Sequence, residues 1–202
     1  MENWVVTIGR EFGSLGRPIA ARVAELLDVA YYDRDIVEEV AQRMNMPLQV
    51  ISDEEEREES KFGALARCMY PLGSGDNTLK QKIYAVQECV LNDFADKGSC
   101  ILVGRCADYV MRHRKNLMRI YIYAPLEERV KNAMGLMNVD RDDARRVCLE
   151  VDRARSKYHR RYAGYDVMDP DHFDLMMNSA MGGVENTAQM LSELIRRRFQ
   201  KL

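Results

Sequence analysis

The sequence predicts an α/β fold built on a mainly parallel β-sheet. Short β-branched or apolar runs alternate along the 202 residues with segments of helical periodicity. Helical segments longer than a hairpin loop separate the strands, which favours parallel over antiparallel pairing. The run Cys100–Val103 is apolar throughout, as expected for a strand that helices cover on both faces.

The first half of the chain yields two strands and three helices. A strand at 5–8 leads through a glycine-bearing loop into a helix over 17–28, whose apolar residues recur at helical spacing. Residues 31–32, both tyrosine, form a short second strand, and we interpret their rings as packing groups rather than as a stacking surface. Further helices are predicted over 36–44 and 79–98.

Two segments between these last helices predict no core element. The run at 53–59 carries six acidic residues against one basic residue, which is typical of a solvated loop or helix start. Residues 71–78 are rich in glycine and polar residues and predict a loop.

The second half continues the alternation of strands and helices. The strand at 100–103 leads directly into a helix opened by the segment 104–108. A strand at 119–124 precedes a helix that begins at Pro125, a residue favoured in the first helical turn. A last strand at 174–178 precedes a terminal helix with one apolar face.

The loop after the first strand is the most informative segment of the chain. It reads Gly9-Arg10-Glu11-Phe12-Gly13-Ser14-Leu15-Gly16-Arg17 and runs straight into a helix. In such loops the glycines let backbone N–H groups converge on a phosphate, and the helix N-terminus favours negative charge. Arg17, in the first turn of the helix, lies where a cation can reach the same phosphates. The loop therefore predicts a nucleotide site.

The loop matches neither standard phosphate-binding motif. Counted back from Gly16, the lysine position of a Walker A loop holds Arg17 and its hydroxyl position holds Pro18. A dinucleotide-binding G-x-G-x-x-G pattern fits only at Gly13 and Gly16, with Glu11 in the first place. An ordinary strand-to-helix turn, with glycines for tight geometry, is the alternative interpretation.

Composition is consistent with a cytoplasmic enzyme of one domain. The net charge of −2 favours neither nucleic-acid nor membrane partners. Five cysteines without CxxC or zinc-like spacing indicate reduced thiols rather than a disulfide framework. Neither a signal peptide nor an apolar stretch of membrane-spanning length is visible. The sequence leaves the oligomeric state open.

Residues 129–161 form a basic region in a weakly acidic chain. They contain ten lysines and arginines against five acidic residues, a local charge of +5. A basic stripe lies apart from the apolar side of the predicted helix: Arg146, Arg153, Lys157 and Arg160. One interpretation is a solvated face with i,i+4 ion pairs. The other is a clamp over the phosphate loop, since such side chains stabilise the charge of a transferring phosphoryl group.

Taken together, these segments resemble the cytidylate kinase-like family, a branch of the P-loop nucleoside monophosphate kinases. The resemblance spans nearly the whole chain, although the insert at about 45–80 carries little of it. The segments that carry it are Thr7–Arg17, Tyr31–Asp33, Val103–Asp108, Tyr121–Arg129, Asp152–Arg155 and Phe173–Ser179. Arginine at the lysine position of the phosphate loop looks typical of this branch.

The resemblance implies a P-loop NTPase-type three-layer sandwich with a five-stranded sheet, ATP and Mg²⁺ as cofactors, and nucleotides as partners. It also implies a single domain over 1–202 with three kinds of segment. These are a core (1–33, 98–128 and 170–202), a helical monophosphate-binding insert (34–97) and a lid (129–162).

Carried over position by position, the resemblance assigns three groups of residues. The ATP-binding positions are Gly9, Gly13, Ser14, Leu15, Gly16 and Arg17. The catalytic positions are Arg17, Arg129 and Arg155. The acceptor-binding positions are Asp33, Arg105, Asp108 and Asp152. Asp152 and Arg155 resemble an Asp-x-x-Arg pair that serves the nucleotide sugar and phosphates, whereas Pro18 leaves the protein ligand of the metal open.

Some of these residues have simpler interpretations. Arg105 opens a helix, where a base faces an unfavourable dipole, and a bound anion would explain its position. Asp108 pairs with Arg105 or Arg112 in the alternative interpretation. The three histidines, at positions 113, 159 and 172, show no ligand spacing and are expected at the surface.

Three functions follow from the sequence. The first is ATP-dependent phosphorylation of a nucleoside monophosphate, CMP or dCMP. The second is a kinase of another small phosphorylated or hydroxylated metabolite, because a fold does not fix its substrate. The third is a nucleotide-binding sensor without turnover, which the departures in the phosphate loop motivate and the retained arginines oppose. Glu11 and the long helical stretch between Asp33 and Cys100 exclude a dehydrogenase.

Overall fold

A computed structural model describes residues 3–48, 51 and 77–199 of the chain. Within these ranges the strands are β1 (Val5–Arg10), β2 (Ala30–Tyr32), β3 (Cys100–Val103), β4 (Leu117–Tyr123) and β5 (Leu175–Asn178). The helices are α1 (Gly16–Leu27), α2 (Arg34–Met44), α3 (Asn77–Lys97), α4 (Ala107–Val110), α5 (Leu126–Met137), α6 (Arg141–Ala163) and α7 (Gly183–Phe199). Short 3-10 helices at Pro170–His172 and Ser179–Met181 flank β5.

The five strands form one parallel sheet in the order β2-β3-β1-β4-β5, which confirms the predicted class. Val5 at the start of the central strand pairs with Cys100 of β3 and with Leu117 of β4. The chain runs from β1 to one edge of the sheet, returns through β3 and crosses to β4 on the other side. The topological switch point therefore lies between β1 and β3, where open α/β sheets bind ligands at the carboxyl ends of the strands.

Helices cover both faces of the sheet, so the predicted three-layer sandwich is also confirmed. Side chains alternate along β3, and all four are fully buried. Cys100 and Leu102 belong to the apolar cluster formed with α2 and α3, whereas Ile101 and Val103 belong to the cluster formed with α1 and α7. Burial on both faces explains why this strand is apolar at every position.

A third apolar cluster joins α5, α6 and the loop after β1: Phe12, Val130, Ala133, Ala144, Val147, Cys148 and Val151. The apolar side predicted for α6 therefore faces α5, and Phe12 anchors the loop between the two helices. The basic stripe predicted on α6 is exposed along its length. Two of its members form ion pairs at the surface, Arg146 with Asp143 and Arg160 with Asp166. This arrangement matches the solvated-face interpretation of the stripe.

Some predicted segments lie outside the described residues, and one predicted helix begins at a different residue in the structure. The acidic segment 53–59 and most of the predicted loop 71–78 lie outside the described residues. Helix α3 begins at Asn77, two residues before the helix predicted from periodicity. In the described part of the chain, no helix has the length and apolar character needed to cross a bilayer.

Candidate active site

A cleft opens at the carboxyl ends of β1 and β3, at the switch point of the sheet. Arg10 lines it from β1, Arg105 from the turn after β3, and Arg155 from α6, which lies across the opening. Tyr121 of β4 and Phe173 form an apolar wall, with their ring centroids 5.3 Å apart. Chain segments that are far apart in sequence thus build one cavity with cationic and aromatic surfaces.

Gly9 leaves room for this aromatic wall. A Cβ atom at Gly9 would lie 2.7 Å from Cδ2 of Tyr121, closer than side-chain carbons approach each other. The ring of Tyr121 therefore occupies the space that a side chain at Gly9 would fill. This contact gives the first glycine of the loop a role in shaping the cleft.

Asp33 is the carboxylate on which the arginines at this end of the sheet converge. It is 5% exposed, and although it precedes α2 its side chain forms no capping bond. The Nε of Arg17 lies 2.5 Å from Oδ2 of Asp33, and Nη2 of Arg10 lies 3.6 Å from Oδ1. Burial opposes ionisation of Asp33, but Arg10 and Arg17 outweigh it and lower its pKa.

Arg10 is a buried cation with a surplus of positive charge around it. Burial, together with the nearby charges of Arg155, Arg17 and Arg105, lowers its pKa to about 9, and Asp33 offsets only part of the effect. Its buried Nε atom has no hydrogen-bond partner among the described residues. The guanidinium stays charged at neutral pH, and the lowered pKa reflects its burial and then the crowding of like charges, which a bound anion would relieve.

Arg10 was not predicted as a site residue. Its position in the glycine loop indicated a role for the loop backbone rather than for its side chain. The available signal was an arginine at the carboxyl end of a central, buried strand, where a cation is unfavourable unless an anion lies nearby.

The turn after β3 has an unusual backbone. Gly104, Arg105 and Cys106 follow one another in the left-handed region, with φ of 71°, 56° and 52°. Residues other than glycine pay about 1–3 kcal/mol for such conformations, which concentrate at functional sites. This turn delays the helix predicted to open at 104–108, so that α4 begins at Ala107. It also brings Arg105 to the cleft, beside Arg10.

Side-chain hydrogen bonds fix the phosphate loop to its neighbours, whereas the first N–H groups of α1 have no side-chain cap. Leu15, with φ of 59°, precedes α1 and provides no side-chain cap for its first N–H groups. The Ser14 hydroxyl donates to the carbonyls of Glu11 (2.9 Å) and Ile122 (3.2 Å). Nδ2 of Asn132 donates to the carbonyl of Gly13 at 2.9 Å. The backbone expected to receive ATP phosphates is therefore fixed to β4 and α5, and the Ser14 side chain serves that fixation.

Arg129 and Asp152 support the loop rather than line the cleft. Nη1 of Arg129 lies 2.5 Å from Oδ2 of Asp152, and its Nε lies 3.2 Å from Oε2 of Glu11. Oδ1 of Asp152 accepts the backbone N–H of Phe12 at 2.8 Å. These contacts make both residues positioning groups for the loop. Of the two residues matched to the Asp-x-x-Arg pair, only Arg155 lines the cleft.

We expect Gly13→Ala to destabilise the fold by about 1–3 kcal/mol, because it adds a Cβ in a left-handed conformation. The new Cβ would lie 2.5 Å from the Arg129 carbonyl oxygen, a backbone atom that cannot rotate away, at φ of 77°. Gly135→Ala on α5 is the control, since its Cβ meets nothing within 4 Å and should raise stability by up to about 1 kcal/mol. Urea unfolding measures both, and equal midpoints would contradict the tight seating of the loop.

Asp108 lines the same cleft as Arg105, and its side chain belongs to a buried hydrogen-bond network with His159 and Tyr165. It accepts from Nε2 of His159 at 2.8 Å and from the hydroxyl of Tyr165 at 2.6 Å. His159 is only 6% exposed, so the expectation that it lies at the surface is wrong. Its partner is 51 residues away in sequence, and helical periodicity does not reveal such a contact.

The three-layer parallel sheet, the glycine loop before α1 and the arginine-lined cleft define a phosphotransferase of the P-loop kinase class. The model of the cytidylate kinase-like family matches residues 5–181, and the chain belongs to this family. The cytidylate kinase of Staphylothermus marinus is 25% identical over 177 residues, which cover 87% of each chain.

Solved structures agree on the fold. A protein of Eubacterium ventriosum described as uncharacterized has a TM-score of 0.74 and 22% identity, covering 97% of this chain and 99% of its own. The shikimate kinase of Bacteroides thetaiotaomicron has a TM-score of 0.58 and 11% identity, covering 96% of this chain and 99% of its own. At these identities the likeness concerns architecture and not substrate.

Proposed function

We propose that this protein transfers the γ-phosphoryl group of ATP to a nucleoside monophosphate, CMP or dCMP, and releases ADP. The observation that carries the proposal is the convergence of Arg10, Arg105 and Arg155 in the cleft at the switch point. Asp33 offsets part of the positive charge around Arg10, and Oδ1 of Asp152 lies 4.0 Å from Nη1 of Arg155. The dianionic phosphate of an acceptor would add counter-charge to this cluster.

The two nucleotides would occupy different parts of the site. Residues 13–17 and the N-terminus of α1 suit the phosphates of ATP, because they offer backbone N–H groups and the positive end of a helix. The cleft suits the acceptor, since planar guanidinium groups bind phosphate oxygens in pairs. The wall of Tyr121 and Phe173 gives a flat base an apolar surface. Phosphoryl transfer depends mainly on such positioning and charge stabilisation.

A phosphate acceptor also explains why the cleft needs no general base. At neutral pH a monophosphate already carries most of its second negative charge and attacks without losing a proton to the protein. The candidate bases at this site are committed elsewhere, Asp33 to Arg17 and Asp108 to His159. A hydroxyl acceptor would require a base that these contacts do not provide.

Mg²⁺ enters the proposal as the companion of ATP. The side chains near the phosphate loop do not fit a direct metal ligand: the Ser14 hydroxyl donates to two carbonyls, Pro18 has no hydroxyl, and Asp33 pairs with Arg17. No group of three or more candidate ligands lies together among the described residues. We therefore derive no step through a metal held by protein side chains.

The experiment that tests the function is ADP release from ATP in the presence of each nucleoside monophosphate in turn. We expect CMP or dCMP to stimulate release most strongly. Stimulation by another phosphorylated metabolite alone would overturn the cytidylate assignment and leave a kinase of different specificity. ATP binding without stimulation by any acceptor would favour the sensor.

We expect Arg105→Lys to raise the KM for the acceptor about tenfold and to leave the KM for ATP nearly unchanged. Lysine keeps the charge but loses the planar fork, and loss of one charge-assisted hydrogen bond corresponds to about 1.5–3 kcal/mol. Steady-state kinetics with each substrate varied separately measure the effect. Arg112→Lys is the control, because Arg112 is exposed and stacks on Tyr109 at 3.8 Å instead of lining the cleft. Equal KM values for the acceptor in the two variants would contradict phosphate binding by Arg105.

A further inference from the structure

We propose that Asp108, His159 and Tyr165 form a clasp that holds α6 across the cleft and positions Arg155, with His159 as an imidazolium ion. The charge of His159 is argued from the hydrogen bonds of its two ring nitrogens, one of which faces an ionised Asp108. The effect on the acceptor rests on the proposed function. Of these three residues, only Asp108 was assigned a role from the sequence.

Both ring nitrogens of His159 face oxygen atoms that accept hydrogen bonds. Nδ1 lies 3.1 Å from the backbone carbonyl oxygen of Tyr165, and Nε2 lies 2.8 Å from Oδ2 of Asp108. A carbonyl oxygen and an ionised carboxylate only accept, so both ring nitrogens must donate. A neutral imidazole carries one N–H and satisfies one of the two contacts, whereas an imidazolium satisfies both.

The surroundings of Asp108 keep its carboxylate ionised. Burial opposes ionisation, but the hydrogen bonds and charge of His159 and the hydroxyl of Tyr165 outweigh it and lower the pKa of Asp108. Arg119 on β4 adds a favourable charge, since it interacts electrostatically with both Asp108 and Tyr165. The proton of the pair therefore resides on His159.

The groups that face the pair come from every neighbouring element. Burial opposes a charge on His159, but the hydrogen bond and charge of Asp108, the Tyr165 carbonyl and the charge of Asp166 raise its pKa. Arg105 and Arg155 also line the cleft that His159 lines. The ring of His172 stacks on Tyr165 at 3.6 Å, and Tyr109 meets it edge-on at 6.3 Å. The two cleft arginines oppose the charge on His159, and the carboxylates favour it.

The clasp joins two of the segments that carry cleft arginines, the turn after β3 and α6. Asp108 lies three residues after Arg105 and directly beyond the left-handed turn. His159 lies one helical turn after Arg155 on the same side of α6, and Nη1 of Arg155 donates to the carbonyl of Arg10 at 3.0 Å. Fixing His159 to Asp108 therefore fixes the position of Arg155 relative to Arg105.

A buried amide strengthens the same joint. Nε2 of Gln87 on α3 donates to the carbonyl of Arg105 at 2.9 Å and lies 3.0 Å from the hydroxyl of Tyr158 on α6. Gln87 is fully buried, so breaking these bonds would leave polar groups without partners. The strained turn and α6 are thus held together at two adjacent points, one neutral and one charged.

The clasp predicts a direction of pH dependence. The pKa of His159 is raised in the folded protein above the ordinary value of about 6.5. The stabilisation by the charged pair is therefore fully present below about pH 6.5 and is lost as the pH rises through the raised value. We expect the KM for the acceptor to rise over the same interval on the alkaline side, while the KM for ATP stays constant.

Two measurements on the full chain test the clasp. The first is ¹⁵N NMR of the histidine rings at neutral pH without nucleotide, where we expect both nitrogens of His159 to be protonated. His113, which is exposed, provides the comparison signal. One unprotonated nitrogen on His159 would overturn the imidazolium assignment. This readout does not depend on activity, so it decides the charge even if the proposed function fails.

The second measurement is kinetic. We expect His159→Gln to raise the KM for the acceptor about tenfold or more and to remove its alkaline pH dependence, with the KM for ATP within about twofold. His113→Gln should change neither. Tyr165→Phe removes one hydroxyl and keeps the ring stacking, and we expect a smaller change in the same direction even if His159→Gln does not fold. Equal effects on both KM values, or none on the acceptor, would overturn the positioning role.

Discussion

We expect Arg10→Met to reduce acceptor-dependent phosphoryl transfer by at least about a hundredfold while leaving the melting temperature unchanged or raised. Among the described residues the Nε atom of Arg10 has no hydrogen-bond partner, and burial and the neighbouring arginines lower the pKa of Arg10 to about 9. Methionine keeps much of the side-chain length and removes the crowded charge. Loss of a phosphate ligand whose contact strengthens during transfer corresponds to about a hundredfold or more in turnover.

The melting temperature of the Arg10→Met variant distinguishes two roles for Arg10. If the side chain served mainly as the counter-ion of Asp33, its removal would deprive this buried carboxylate of one counter-charge and lower the melting temperature. Arg17 remains 2.5 Å from Asp33, so we expect this loss to be small. Arg22→Met is the matched control, because Arg22 is half-buried on α1, away from the cleft, and pairs with Glu25 and Glu185. A marked fall in melting temperature for Arg10→Met, without loss of turnover, would contradict an anion-binding role.

The fold could be predicted because its signals are local. The strand at 100–103 reveals its burial through four apolar residues, and each helix reveals its buried face through spacing. The order of strands in the sheet is not local in this sense. It was not predicted, since the periodicity of β2, with three residues, carries almost no information about its neighbour β3.

The candidate site was predicted in part. Arg105 and Arg155 both line the cleft, and Asp33 and Arg17 lie at the same end of the sheet. Arg129 and Asp152 instead hold the phosphate loop, because their partners are the backbone of Phe12 and the carboxylate of Glu11. A basic residue that clamps a ligand and one that clamps a loop have the same appearance in a sequence.

The residues that were missed have distant partners. His159 meets Asp108 across 51 residues, and Gln87 meets Tyr158 across 71 residues. Buried polar side chains are determined by such pairings, and no periodic pattern encodes them. Arg10 was missed for a different reason, because its importance lies in the electrostatics of several arginines that only the fold brings together.

We expect Arg17→Ala to reduce turnover by at least about a hundredfold, chiefly through weaker binding of the transferring phosphates. Arg17 occupies the lysine position of the phosphate loop and lies in the first turn of α1, whose N–H groups receive no side-chain cap. Its guanidinium pairs with Asp33, with Nε at 2.5 Å and Nη2 at 3.3 Å. Bound ATP would compete with Asp33 for this side chain.

The stability of the Arg17→Ala variant distinguishes a role of Arg17 in nucleotide binding from a role in the ion pair with Asp33. Removing Arg17 leaves Asp33 beside Arg10, whose Nη2 lies 3.6 Å away, so the buried carboxylate keeps a counter-charge. We therefore expect the free energy of unfolding to fall by less than about 2 kcal/mol, below the 3–5 kcal/mol typical of an orphaned buried charge.

The KM for ATP should rise more than the KM for the acceptor, the reverse of the pattern for Arg105→Lys. Arg22→Ala on the same helix should show neither effect. Normal turnover in Arg17→Ala would exclude this arginine from the reaction and leave the backbone of residues 13–16 as the phosphate site.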